Sequence, residues 1–118
     1  MRKITKKMIE TCAESLGWSV GFETQKRPDG RAEKMVTFSQ DSPAGEDFSF
    51  YLCYENLREI AGEVYTFWQD FDVEEHVSMW LEAKHNGVGG VPGVVTLVDD
   101  AREIESMLEN LWTDLSNL

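Results

Sequence analysis

His76 shares one predicted helical turn with two carboxylates, Asp72 and Glu75, and this group has the side chains best suited to chemistry. An imidazole beside carboxylates can hold a metal ion or move a proton. The other histidine, His85, lies nine positions away, and neither histidine has a second His or Cys at the spacing of a metal site. The sequence therefore favours a capped helix start with a surface histidine, and it predicts no metal and no cofactor.

The other candidate nucleophiles give a weaker signal. Cys12 and Cys53 both fall at positions where apolar residues are expected, so we expect two reduced, buried thiols. Spacing alone leaves a disulfide between them open. The serines lack the strand–turn–helix context of a nucleophile elbow. With 22 acidic residues in the chain, pairs of carboxylates arise by chance. We therefore predict no catalytic residue and no enzymatic activity.

Residues 86–95 contain four glycines and Pro92 and are predicted to form a loop. A glycine-rich turn before a helix can bind phosphate. Here no lysine follows it, and the carboxylates of Asp99 and Asp100 open the next helix, where they would repel an anion. The sequence favours a tight connection between two helices, with a partner-contact loop as the alternative.

The charge of the chain is divided unevenly along its length. Residues 1–34 carry eight Lys or Arg and five acids, whereas residues 35–118 carry three Lys or Arg and seventeen acids, which gives the net charge of −11. We expect a single domain, 1–118, with a basic N-terminal third and an acidic remainder. The acidic part should repel nucleic acid and membranes and attract basic protein surfaces. No apolar run reaches the roughly 18 residues of a membrane span, and the expected location is cytoplasmic.

Hydrophobic periodicity predicts the elements that carry these residues. Helical spacing predicts a helix over about 5–16, capped by Thr5, and alternation predicts three strands, with Pro28-Asp29-Gly30 as the first turn. The period is again helical over about 56–70, 73–85 and 97–115, with Thr96 as the cap of the last helix. The predicted fold class is α+β, with an N-terminal helix, a three-stranded antiparallel meander and three C-terminal helices.

Acidic residues on those helices form the predicted interaction surface. Few of them have a basic residue at i,i+4, so they repel one another unless a partner binds. Rows of fixed carboxylates imitate the phosphate rows of a DNA duplex. The predicted partner-binding residues are Glu59, Glu63, Asp70, Asp72, Glu74, Glu75, Asp99, Asp100, Glu103 and Glu109.

Part of the sequence resembles proteins of mobile genetic elements. The stretch 70–84, then Asn86-Gly87-Val88 and Gly90-Val91-Pro92, then 97–101 and 104–111, is similar to the C-terminal part of small, uncharacterised acidic proteins of phages, plasmids and conjugative elements from gut-type Firmicutes. The resemblance covers a little under half of the chain and implies no activity or site residues. Small proteins of such elements include anti-restriction and anti-CRISPR inhibitors.

These observations predict a non-enzymatic inhibitor whose acidic helices occupy the basic nucleic-acid groove of a host nuclease or CRISPR effector. The alternative is an accessory module of a mobile element that binds a protein through the glycine loop and exposed aromatic residues, without DNA mimicry. The basic N-terminal third could bind an anionic surface or simply balance the acidic part. The sequence also leaves a homodimer through Trp68 or Trp112 open.

Overall fold

The computed structural model describes residues 3–85 and 94–118 and confirms the predicted α+β fold. The predicted glycine loop lies almost entirely outside the described residues. The elements are α1 (Lys6–Ser15), β1 (Ser19–Lys26), β2 (Ala32–Asp41), β3 (Asp47–Tyr54), α2 (Glu59–Asp70), α3 (Val73–His85) and α4 (Val94–Ser116).

Side-chain caps are present at the starts of two helices, α1 and α3. The Thr5 hydroxyl accepts a hydrogen bond from the Met8 amide, and Asp72 accepts one from the Glu75 amide. The start of α2 has no side-chain cap. Glu59, its first residue, accepts from the Asn56 amide, and the turn between them has i→i+3 backbone bonds. The predicted cap at Thr96 is wrong, since α4 begins two residues earlier, at Val94.

The three strands form an antiparallel meander in the order β1-β2-β3. Phe22, Val36 and Leu52 are paired across the sheet and lie on its inner face, which packs against the helices. Period-two alternation sends Cys53 to the outer face, where it is exposed, so the prediction of a buried Cys53 is wrong. Cys12 is half-buried, and both cysteines are free thiols.

The helices cover the inner face of the sheet. In this layer, α1 contacts β1, α2 contacts β3, and α4 lies against both helices. Phe50 stacks on Phe67 of α2 with ring centroids 4.4 Å apart, and Trp18 meets Phe38 edge-on. Aromatic contact thus joins sheet and helices, in addition to the burial of apolar surface.

Trp68 and Trp112 lie where α2 meets α4, with their ring centroids 5.7 Å apart. Both side chains are half-buried and pack against the main core.

The topology separates the two kinds of charge in space. One end of the sheet carries the β1–β2 turn and the start of α1, and the other carries the β2–β3 loop. The start of α4 lies at the second end, because Asp100 binds Ser42, and α2 finishes there, because Phe71 contacts Phe48. We call the first the basic end and the second the acidic end. They are about 30 Å apart along the ten residues of β2.

Candidate protein-binding surface at the acidic end

The acidic end is organised by the loop Ser42–Glu46, which joins β2 to β3. The Ser42 amide donates to the Glu46 carbonyl at 2.8 Å, and the Ser42 hydroxyl accepts from the Glu46 amide at 3.0 Å. Gly45 has φ = +88°, a backbone conformation that glycine adopts without steric cost. The side chains at the two ends of this tight turn, Ser42 and Glu46, point toward the neighbouring helices.

Asp100 attaches the loop to α4. One carboxylate oxygen accepts from the Ser42 hydroxyl at 2.6 Å, and the other accepts from the Ala44 amide at 2.8 Å. Asp100 is only 3% exposed and Ser42 only 5%. Because its carboxylate is buried and engaged, Asp100 cannot belong to the exposed acidic surface that the sequence predicts. The prediction that Asp100 binds a partner is therefore corrected: its carboxylate holds the loop against α4.

His76 attaches the same loop to α3. Its Nε2 lies 2.9 Å from Oε2 of Glu46, and its ring packs against Phe48 and Phe71. The side chain is 16% exposed, so the prediction of a surface histidine is wrong. The predicted cap beside it is present, because Asp72 accepts from the Glu75 amide. His76 and its carboxylate partner thus join two elements across the fold.

A cleft of about 290 Å³ opens beside His76 at the junction of α2 and α3. Aromatic rings form much of its lining, and Met79, 60% exposed, stands at its edge. Asp70, Asp72 and Glu75 supply the charge. The cleft lining includes no lysine or arginine among the described residues. The arrangement suits a cationic side chain with an apolar stem, since carboxylates and aromatic faces both attract cations.

More exposed acids surround this cleft and the Ser42–Glu46 loop. A shallow depression of about 240 Å³ on the other side of the loop is lined by Asp99 and Glu103 together with Pro43 and Ala44. We use the name acidic face for the exposed carboxylates of this end: Asp41, Asp47, Asp70, Asp72, Glu74, Glu75, Asp99 and Glu103. At physiological salt, charges are screened over about 8 Å, so the basic end does not neutralise this face.

Six of the ten predicted partner-binding residues lie on the acidic face. The other four are distributed elsewhere. Glu59 and Glu63 are exposed along the side of α2, and Glu109 is exposed farther along α4. Asp100 is buried. The predicted surface is thus a compact group at one end, with a row of carboxylates that extends from it along α2.

Asp41 and Asp47 belong to the acidic face but were not predicted. They are paired with each other across β2 and β3 at the base of the loop. Their proximity depends on strand register, which the sequence pattern does not specify in a polar loop. Glu46 was missed for a related reason, since its partner His76 is 30 positions away in sequence.

The two thiols do not have the surroundings of a nucleophile. Cys53 donates from Sγ to Glu33 at 3.1 Å, and this hydrogen bond is the main reason that the pKa of the Cys53 thiol is raised. Burial raises the pKa of the Cys12 thiol, with a smaller contribution from Asp114. A raised pKa leaves less thiolate at neutral pH, and the thiolate is the reactive form.

Two further findings concern residues 3–85 and 94–118. Within these ranges no group of three or more His, Cys, Asp or Glu side chains is arranged to hold a metal ion. Nor does any described helix have the length and apolar character to cross a membrane.

No known protein family, curated protein sequence or solved structure matches this chain significantly.

Proposed function

We propose that this protein is a non-enzymatic inhibitor that binds the basic nucleic-acid groove of a host defence protein through its acidic face. The observation that carries the proposal is the aromatic cleft, whose described lining holds Asp70, Asp72 and Glu75 and no lysine or arginine, within a group of exposed carboxylates. Proteins that grip DNA present rows of Lys and Arg for the phosphates. Such a row complements this face in charge, and one of its side chains can enter the cleft.

The separation of charge supports this mode of binding. The acidic face lies about 30 Å from the basic end, so the basic residues neither shield it nor have to enter the groove of the target. Electrostatic attraction would speed the encounter and would weaken as salt rises. The resemblance of stretches between residues 70 and 111 to acidic proteins of mobile elements fits an anti-CRISPR or anti-restriction role. A target of that kind places the protein in the cytoplasm.

The experiment compares two triple variants with the same change of net charge. The test variant D70N/E74Q/E75Q neutralises exposed acids of the acidic face, and the control E23Q/E55Q/D114N neutralises exposed acids elsewhere. Tagged wild type and both variants are incubated with host lysate at low and at high salt, and bound proteins are identified by mass spectrometry.

We expect wild type and the control to capture a nucleic-acid-binding protein that the test variant does not capture. High salt should release this protein from wild type. A partner that both triple variants retain equally would contradict the proposal. A partner that stays bound at high salt would favour the accessory-module alternative instead, because apolar contacts are not screened by ions.

A further inference from the structure

A cavity with a volume of about 620 Å³ lies at the basic end. It opens between the segment that leads into α1 and the connection from β3 to α2. Its inner wall is the last row in which all three strands are paired, which consists of Thr24, Lys34 and Tyr54. The cavity exists because the strands of the meander extend beyond the helices that cover them at this end.

The charge of this cavity is opposite to that of the chain. Lys3, Lys6, Lys34 and Arg58 line it, against a single carboxylate, Glu55. Lys34 donates to the Glu55 backbone carbonyl at 3.2 Å, and Lys6 lies 5.4 Å from the centroid of the Phe22 ring. None of the three lysines forms an ion pair with a carboxylate of the described residues. Cations are thus concentrated at this cavity in a protein of net charge −11.

The remaining lining residues are apolar or neutral. Ile4 and Leu57 are half-buried and provide apolar surface, and Tyr54 is almost fully buried beside them. The Asn56 side chain accepts from the Arg58 amide through its oxygen, which leaves its NH₂ group able to donate. A ligand that fits this lining has an anionic group for the lysines and a partly apolar body.

We propose that this cavity binds a phosphorylated ligand of nucleotide size. The volume falls within the range of small-molecule sites, and the ammonium groups of lysine are common phosphate ligands. The site is independent of the acidic face, because the two lie at opposite ends of the fold. Phosphate binding would give the basic N-terminal third a function of its own, separate from the binding of a basic partner by the acidic face.

Isothermal titration calorimetry with ATP, in magnesium-free and phosphate-free buffer, tests the proposal. Wild type should bind ATP more tightly than it binds adenosine or pyrophosphate, since both parts of the cavity contribute. The variant K3Q/K6Q should lose about tenfold or more in affinity, as expected when charge-assisted hydrogen bonds are removed. The control K7Q/K26Q removes the same charge from lysines outside the cavity and should lose less than about twofold.

A second pair of variants adds a charge instead of removing one. Thr24 lines the cavity, while its neighbour Gln25 points to the other side of the sheet, and both are exposed. T24E should weaken ATP binding strongly and Q25E only slightly. Absence of ATP binding by wild type up to about 1 mM, equal losses in the members of either pair, or pyrophosphate binding as tight as that of ATP would overturn the proposal.

Discussion

Replacing Asp100 with alanine should destabilise the protein more than any other neutralisation of an acid at the acidic end. The substitution leaves the buried Ser42 hydroxyl and the Ala44 amide without their acceptor. Each unsatisfied buried donor costs about 1–3 kcal/mol. Because the exposed side of the loop can admit water near Ala44, we expect a total loss of about 3 kcal/mol in the free energy of unfolding. A loss of that size is a large part of the roughly 5–15 kcal/mol that stabilises a domain.

Urea denaturation followed by tryptophan fluorescence measures this loss. D99A is the matched control, because Asp99 is exposed one position earlier, and it should change the free energy of unfolding by no more than about 0.5 kcal/mol. The double variant S42A/D100A should lose less than the sum of the two single variants, since both remove the same hydrogen bond. A D100A protein as stable as D99A would refute the role assigned to this carboxylate.

Two further predictions concern single side chains. G17A should lower the free energy of unfolding by about 1–2 kcal/mol, as measured by thermal or urea denaturation. The reason is that Gly17 has φ = +91° and that a Cβ there would also meet the Gln40 amide. An unchanged stability would contradict this. Despite its exposure, Cys53 should react with iodoacetamide at pH 8 more slowly than an unstructured cysteine. The reason is that its hydrogen bond to Glu33 raises the pKa of the thiol. The E33Q variant should therefore react faster than wild type. Equal rates in wild type and E33Q would show that Glu33 does not control the thiol.

Local periodicity was enough to predict the order and type of every element. Phe48, Phe50, Leu52 and Tyr54 alternate with outward-facing residues, and this pattern identifies β3 and its inner face. The same alternation already placed Cys53 outside. The general preference of cysteine for the interior was a weaker guide than the period of its own strand.

Two other errors concern the start of α4 and the burial of Asp100. Thr96 and Asp99 have the spacing of a cap, but α4 extends past them to Val94. Asp100 looks like one more surface acid until the loop that binds it is known, and Ser42 is 58 positions away. Helical periodicity does place Asp100 next to the buried stripe of Leu97, Ala101 and Ile104, which is the one local sign of its burial.

The sequence shows a basic N-terminal third and an acidic remainder, but it does not show where these charges lie in the fold. A hairpin can bring an acidic and a basic segment together or hold them apart, and the outcome depends on register. Here β2 carries Lys34 near one end and Asp41 at the other, so the linear division becomes a division between the two ends of the fold. This explains how a basic N-terminal third is compatible with a separate acidic face.

The most direct test of the proposed function is competition with DNA. Labelled duplex DNA is bound to the captured partner, the protein is titrated in, and release of the duplex is followed by fluorescence anisotropy. Wild type and E23Q/E55Q/D114N should release the duplex completely, and D70N/E74Q/E75Q should release little of it at the same concentrations. A stable complex in which the partner holds the duplex and the protein together would contradict the proposed function.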